Sequence, residues 1–174
     1  MMRQIKHTAA RVAVAALTVS ATGFGAWQAA EGFTAQAVIP TKGDVPTLGH
    51  GSTRYEDGTR VKMGDTITPE RAEILARNLM RQDEKRVAAS LPGVKLYPTE
   101  FDQYVDFTGQ FGYGNWHGSS MRRHLLASNY AAACNALLRY KFSAGYECST
   151  PGNKVCSGVW TRQLKRHAAC MGAQ

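Results

Sequence analysis

The sequence predicts an α+β fold: a small β lobe, a mainly helical lobe with a cleft between them, and an apolar helix ahead of both. Three observations carry this expectation. A Gly- and Thr-rich stretch at 38–64 contains a hairpin signal, helical spacing runs through most of the chain after residue 68, and residues 12–30 hold no ionisable side chain. The 174 residues suit one domain with a real core. At 44% hydrophobic and 20% charged residues the chain reads as globular, not disordered. No repeat or low-complexity tract is present, which excludes collagen-like, coiled-coil and multi-span membrane classes.

The first element is the apolar segment. Arg3, Lys6 and Arg11 precede or open it, with no acid among them. Nineteen helical residues span roughly 28 Å, close to a bilayer core, and basic residues ahead of the stretch orient it so that the body is exported. The stretch is weakly hydrophobic. Ala, Gly, Ser and Thr fill most of it, with Val12, Val14, Leu17, Val19, Phe24 and Trp27 the strong apolar residues. It reads either as a cleaved signal peptide, with small residues at Val19-Ser20-Ala21, or as an uncleaved, weakly held anchor. Both readings export the body. The expected division is therefore 1–30 for targeting and 31–174 for the domain.

The β lobe comes next. The hairpin signal Asp57-Gly58 sits between Gly/Thr-rich flanks, and 38–64 reads as a small twisted antiparallel sheet. Thr68-Pro69-Glu70 then starts a helix over 69–89, with Thr as N-cap and Pro at the first helical position. Ala72, Leu75, Ala76, Leu79 and Met80 repeat at helical spacing along it. After Pro92-Gly93, Thr99 is expected to cap a helix running to Phe111, and residues 112–115 to break it. Short helices follow at 120–127 and 129–142, the second capped by Ser128, and a last one at 158–170. A cleft between the lobes is the natural ligand site.

Four cysteines, Cys134, Cys148, Cys156 and Cys170, lie late in the chain, and an oxidising compartment would pair them. Three pairings are possible. The preferred one joins Cys148 to Cys156 across a polar loop and Cys134 to Cys170 between helices. No CxxC motif or zinc spacing occurs, so neither a metal nor a cofactor is expected. His50, His117, His124 and His167 show no ligand spacing and read as surface or partly packed. Phe101, Phe107, Phe111 and Trp116 read as core. The glycines at 43–51 are not a phosphate loop, because no GK[ST] follows.

The chemistry-bearing residues are acids. Glu31 is the first acid in the chain, and Asp44 and Thr47 follow in a Gly/Pro-flanked loop. A Glu and an Asp facing across a cleft is the pair that glycoside hydrolysis uses. Glu31-Gly32-Phe33 followed by Asp44-Val45-Pro46-Thr47-Leu48-Gly49-His50-Gly51 resembles the phage lysozymes of glycoside hydrolase family 24. Their signature is an EG pair, a loop Asp and T-[IVL]-G-x-G. The resemblance continues in order over about residues 31–170. Phe101-Asp102-Gln103-Tyr104-Val105 leading to Gly109-Gln110-Phe111-Gly112 is similar to FDALVSFxFNxG, Ser119 to Leu125 to S-x-L-x-x-x-L, and Gly158 to Arg162 to GL-x-x-R.

The resemblance implies a lysozyme-like fold and a muramidase that cleaves the β-1,4 bond between N-acetylmuramic acid and N-acetylglucosamine of peptidoglycan, causing host lysis. It implies Glu31 as general acid, with Asp44 and Thr47 positioning or activating water. Gln110 and His50 become candidate substrate contacts, and Arg162 a support that pairs with Glu31. An inverting mechanism is implied, for which a carboxyl separation of about 6.5–9.5 Å is usual. Two departures stand out. The family spacing E-x8-D-x5-T becomes E-x12-D-x2-T, so the usual Asp position falls on Pro40 or Thr41. The pattern GL-x-x-R-R-x-x-E keeps Arg162 but loses the second Arg and the Glu, with any ion pair they make.

The resemblance also re-reads residues 12–30 as a signal-anchor-release segment. It would tether the enzyme to the inner membrane before release into the periplasm. The expected partners are peptidoglycan and, through 12–30, the inner membrane, with a monomer and no nucleic acid. Alternatives are a lytic transglycosylase forming anhydro-muropeptides and a non-enzymatic cationic wall-binding protein. The formal charge of +8 divides into three charges in residues 1–30 and +5 in the body, where 18 basic residues face 13 acids. That excess suits an anionic envelope.

Overall fold

The computed structural model describes residues 10–40 and 43–174. Arg3, Lys6 and Thr41 lie outside the described residues. The architecture is a helical majority with three two-stranded antiparallel sheets. In chain order these elements are β1 (Val12–Ala13), α1 (Ala21–Glu31), β2 (Thr34–Val38), β3 (Thr47–Gly49), α2 (Pro69–Ala89), β4 (Lys95–Leu96), α3 (Pro98–Phe111), α4 (Tyr113–His117), α5 (Ser120–Leu126), α6 (Tyr130–Ala136), β5 (Phe142–Ser143), β6 (Tyr146–Glu147) and α7 (Ser157–Gly172).

The expected apolar helix is not there as one element. Val12 and Ala13 pair as β1 with Leu96 and Lys95 of β4, residues 14–16 make a 3-10 turn, and a new helix begins only after Ser20. The physical cause is local. The Ser20 hydroxyl accepts the Gly23 N–H at 3.0 Å and so caps α1 from its start. Eleven residues make α1 about 16 Å long, half a bilayer core. Among the described residues no helix is long and apolar enough to cross a membrane.

The segment is instead part of the body's packing. Val14 is buried in the main core with Val87, Leu91, Leu96, Phe101, Tyr104 and Trp116. Three body carboxylates bind the stretch from Arg11 to Ser20. Glu100 pairs with the Arg11 guanidinium at 3.1 Å, Glu84 accepts the Val19 N–H at 2.7 Å, and Asp102 accepts both the N–H and the hydroxyl of Ser20. All three acids are buried. Gly23 makes this close approach possible, since a Cβ there would come within 2.5 Å of the Asp102 carboxylate.

The β lobe is smaller than expected and starts earlier. β2 begins at Thr34, not at 38, and beyond β3 isolated bridges alone link 36 with 66, 48 with 52 and 54 with 60 among the described residues. Its own core is Ala37, Leu48 and Val61. Gly- and polar-rich sequence gives too few apolar side chains for a larger sheet. The lobe is clamped to α2 by Glu56, which receives a two-pronged Arg71 pair at 2.8 Å and the Asn78 amide. The Arg71 hydrogen bonds hold the Glu56 carboxyl down at about 2.

The long helix α2 has the expected bounds and the expected cap, with Thr68 accepting the Arg71 N–H. Other caps differ. Pro98, not Thr99, opens α3, and Glu100 at its third position accepts the Tyr97 N–H. The break after α3 is Gly112 alone, at φ +86°, and 113–117 resume as helix. Ser119 caps α5. Ser128 takes a left-handed φ of 58° and caps nothing, so α6 starts at Tyr130 and ends at Ala136. The disulfides are Cys134–Cys170, joining α6 to α7, and Cys148–Cys156, closing a surface loop.

Candidate active site

Glu31 is the last residue of α1, and Gly32 at φ +70° turns the chain away from it into β2. The carboxylate therefore stands at a helix end, facing the gap between the lobes. One oxygen, Oε1, accepts a hydrogen bond from Arg162 Nη1 at 2.6 Å. The other, Oε2, faces Gly51, where the turn after β3 needs φ +81° and so favours glycine. Glu31 lines a cleft of about 420 Å³ with Trp27, His50, Asp83, Asp106 and Gly109.

Arg162 does not act alone. Its Nη2 donates to Asp106 at 2.5 Å, and Asp106 also accepts from Arg166 Nε at 2.5 Å. Burial would raise the Asp106 carboxyl, but Arg166 and then Arg162 hold it below the ordinary range. Burial would lower the Arg162 guanidinium, but Asp106, and then Glu31, lift it above its usual value. Arg166 is almost fully buried and is depressed by that burial, yet a guanidinium stays charged at any working pH. Gln163 completes the cluster, accepting from Arg166 and donating to the Leu137 carbonyl. The family's second Arg and its Glu, with any ion pair between them, are absent here as expected, and a different ion cluster stands at this end of the chain. Arg166 stands where the family pattern has Glu, and Asp106 supplies the opposite charge from α3.

The other candidates separate. His50 is buried, not on the surface, and lines the cleft. Its Nδ1 meets the Gly32 carbonyl and its Nε2 the Gln28 amide at 3.1 Å. Gln110 lies outside the cleft lining, and its Oε1 accepts from Arg166 at 2.6 Å. Thr47 opens β3 with its hydroxyl donating to the Val38 carbonyl at 3.4 Å. Asp44 is exposed, and its carboxylate accepts its neighbour Val45's N–H at 2.8 Å. Neither Asp44 nor Thr47 lines the cleft with Glu31.

Sequence reasoning missed three cleft residues. Asp83 is half-buried on α2 near Gly109, and burial raises its carboxyl despite Arg86 nearby. It sits in the run Arg81-Gln82-Asp83-Glu84-Lys85-Arg86, which reads as a solvated helix face. Asp106 was one letter inside an apolar helix, and Trp27 one apolar letter in a segment read as targeting. The charge of Asp106, where the family motif has Ser, was the available signal. Among the described residues no His/Cys/Asp/Glu group could hold a metal ion.

The family described as Phage lysozyme matches residues 28–166.

The chain belongs to the phage lysozyme family. It is a glycoside hydrolase of the muramidase type. It is 30% identical over 125 residues to the endolysin of Salmonella phage P22, covering 72% of this chain and 84% of that protein. The endolysin from Escherichia coli O157:H7 phage FAHEc1 superposes with TM-score 0.72 at 27% identity, covering 91% of this chain and 96% of that one. The active form of the P1 phage endolysin superposes with TM-score 0.71 at 16% identity, covering 94% and 96%, a likeness of fold. Both superpositions extend over most of this chain and most of each phage endolysin.

Proposed function

We propose that this lysozyme is an endolysin that hydrolyses the β-1,4 bond between N-acetylmuramic acid and N-acetylglucosamine, with Glu31 as general acid. The observation that carries the assignment is the placement of Glu31 at the cleft by a guanidinium that Asp106 locks in turn. Glu31 protonates the glycosidic oxygen as the C–O bond breaks. Water adds to the anomeric carbon, and its proton passes to a second carboxylate, leaving a hydrated reducing end. Glu31→Gln removes the proton donor and should lower turnover by about 10²- to 10⁴-fold at unchanged thermal stability. An unchanged rate would reject the role.

The water side of the reaction is assigned to Asp44, on the segment joining β2 to β3, and to Thr47, the first residue of β3. For Asp44 to serve, that segment has to close over the cleft. One observation favours a second reading: Asp83 already lines the cleft with Glu31. The two variants Asp44→Asn and Asp83→Asn separate the readings. The carboxylate on the water side is the one whose loss abolishes muropeptide release from purified sacculi.

Residues 1–30 are read as a signal-anchor-release segment, membrane-held through 12–30 before release, with residues 11–20 docked on the domain in the periplasm afterwards. What supports retention over cleavage is the use made of residues 11–20. A chain cut near residue 22 would deprive Glu84, Glu100 and Asp102 of those partners. Mass spectrometry of the released enzyme decides: an intact N-terminus supports the anchor, and a start near residue 22 rejects it.

A further inference from the structure

Trp27 is a large aromatic without a structural task in either core. It is half-buried, it packs in neither hydrophobic cluster, and it lines the cleft that holds Glu31. It also lines a second groove of about 680 Å³ between α1, α3 and α7, so the ring stands between two open spaces. Glu31 lies four positions further along the same helix, which puts the two on the same face, one turn apart. Among the described residues none accepts a hydrogen bond from its indole N–H.

The ring's orientation is fixed from both sides. Phe24 lies 5.5 Å from it, and His50 meets it edge-on at 5.9 Å. His50 is itself pinned by Gln28 and by the Gly32 carbonyl, the residues that bracket Glu31. A rigid indole with one apolar face and a free N–H is suited to an amphipathic ligand. A hexopyranose offers that chemistry, with C–H bonds on its flat face and hydroxyl or N-acetyl oxygens at its rim.

We propose that Trp27 is a saccharide-stacking residue of the cleft, which seats one N-acetylhexosamine ring beside Glu31 and is oriented for it by His50. The proposal rests on the muramidase reading. Because Trp27 belongs to the stretch 12–30, docking of that stretch completes a sugar subsite as well as delivering the acid. Stacking holds the sugar in ground and transition states alike, so its loss raises KM and spares kcat.

The test is kinetics on soluble, peptide-free glycan strands. Trp27→Ala should raise KM about tenfold, with kcat within about twofold, and Trp27→Phe should fall between. Unchanged KM in a folded Trp27→Ala, or a loss confined to kcat, overturns the proposal. A second measurement is independent of how well the alanine variant folds. Strands titrated into the Glu31→Gln protein should blue-shift the tryptophan emission, and the shift should survive Trp160→Phe and vanish with Trp27→Phe. A shift retained in Trp27→Phe, or no shift at all, overturns it. An inactive wild type defeats the muramidase reading instead, whatever Trp27 does.

Discussion

Arg162 holds two carboxylates with one guanidinium, and that shared grip makes the site sensitive to single atoms. Loss of the Arg162 contact frees Glu31 to wander, and a displacement of about 1 Å costs on the order of 10²-fold in rate. Arg162→Ala should therefore lower kcat by about that factor. Arg162→Lys should recover only part of it, because an ammonium cannot fork between Glu31 and Asp106. Steady-state rates on purified sacculi check both. Asp106 bears more on stability. Asp106→Asn leaves two largely buried guanidiniums against a neutral amide, a cost of about 3–5 kcal/mol at neutral pH by denaturant titration. Its pH dependence has a definite sign. The folded carboxyl is held below its unfolded value of about 3.9. The contribution is thus complete above that value and is lost as pH falls through the depressed folded one. The wild type should lose stability more steeply than Asp106→Asn in that acid window.

At the scale of elements, the N-terminal stretch matters most. Its helix α1 is Ala- and Gly-rich and buries only Phe24, so packing alone holds it weakly. Fixed charge does the rest. Arg11 stacks over Tyr97 and Tyr130 while pairing with the fully buried Glu100. Arg11→Ala should destabilise the domain by about 3 kcal/mol and speed amide exchange through β1, read by hydrogen–deuterium exchange. No stability loss would mean that the stretch is only loosely docked. The element scale also shows what the sequence reveals. The helix α2 was legible to the residue because a Thr-Pro-Glu start and a clear 3.6-residue repeat agree. The helix α1 was not, since Ala, Gly, Ser and Thr carry no apolar period, and a charge-free stretch of 19 residues reads as membrane-facing. The stretch that leads into it, residues 11–20, bonds acids 65 or more residues away, which local patterning cannot register. The same limit hid Asp83 and Asp106, whose roles depend on α2 and α3 meeting α7 and α1 in space. Glu31 and Arg162 were legible because their motifs survive, and the structure brings them into contact.

For the whole molecule, the +8 charge divides by place. Of the three basic residues ahead of residue 30, Arg11 is spent internally on Glu100, and the body's Arg162, Arg166 and Arg71 are likewise paired with acids. Any attraction to an anionic wall would rest on the remaining Lys and Arg. The fold, the cleft and the chemistry meet in one proposal, hydrolysis of peptidoglycan with Glu31 as the acid. The most direct measurement is mass analysis of muropeptides released from purified sacculi by the wild type and by Glu31→Gln at equal folded concentration. Hydrated reducing ends are expected from the wild type and essentially no release from Glu31→Gln. Anhydro ends, or release by Glu31→Gln at the wild-type rate, would contradict the proposal.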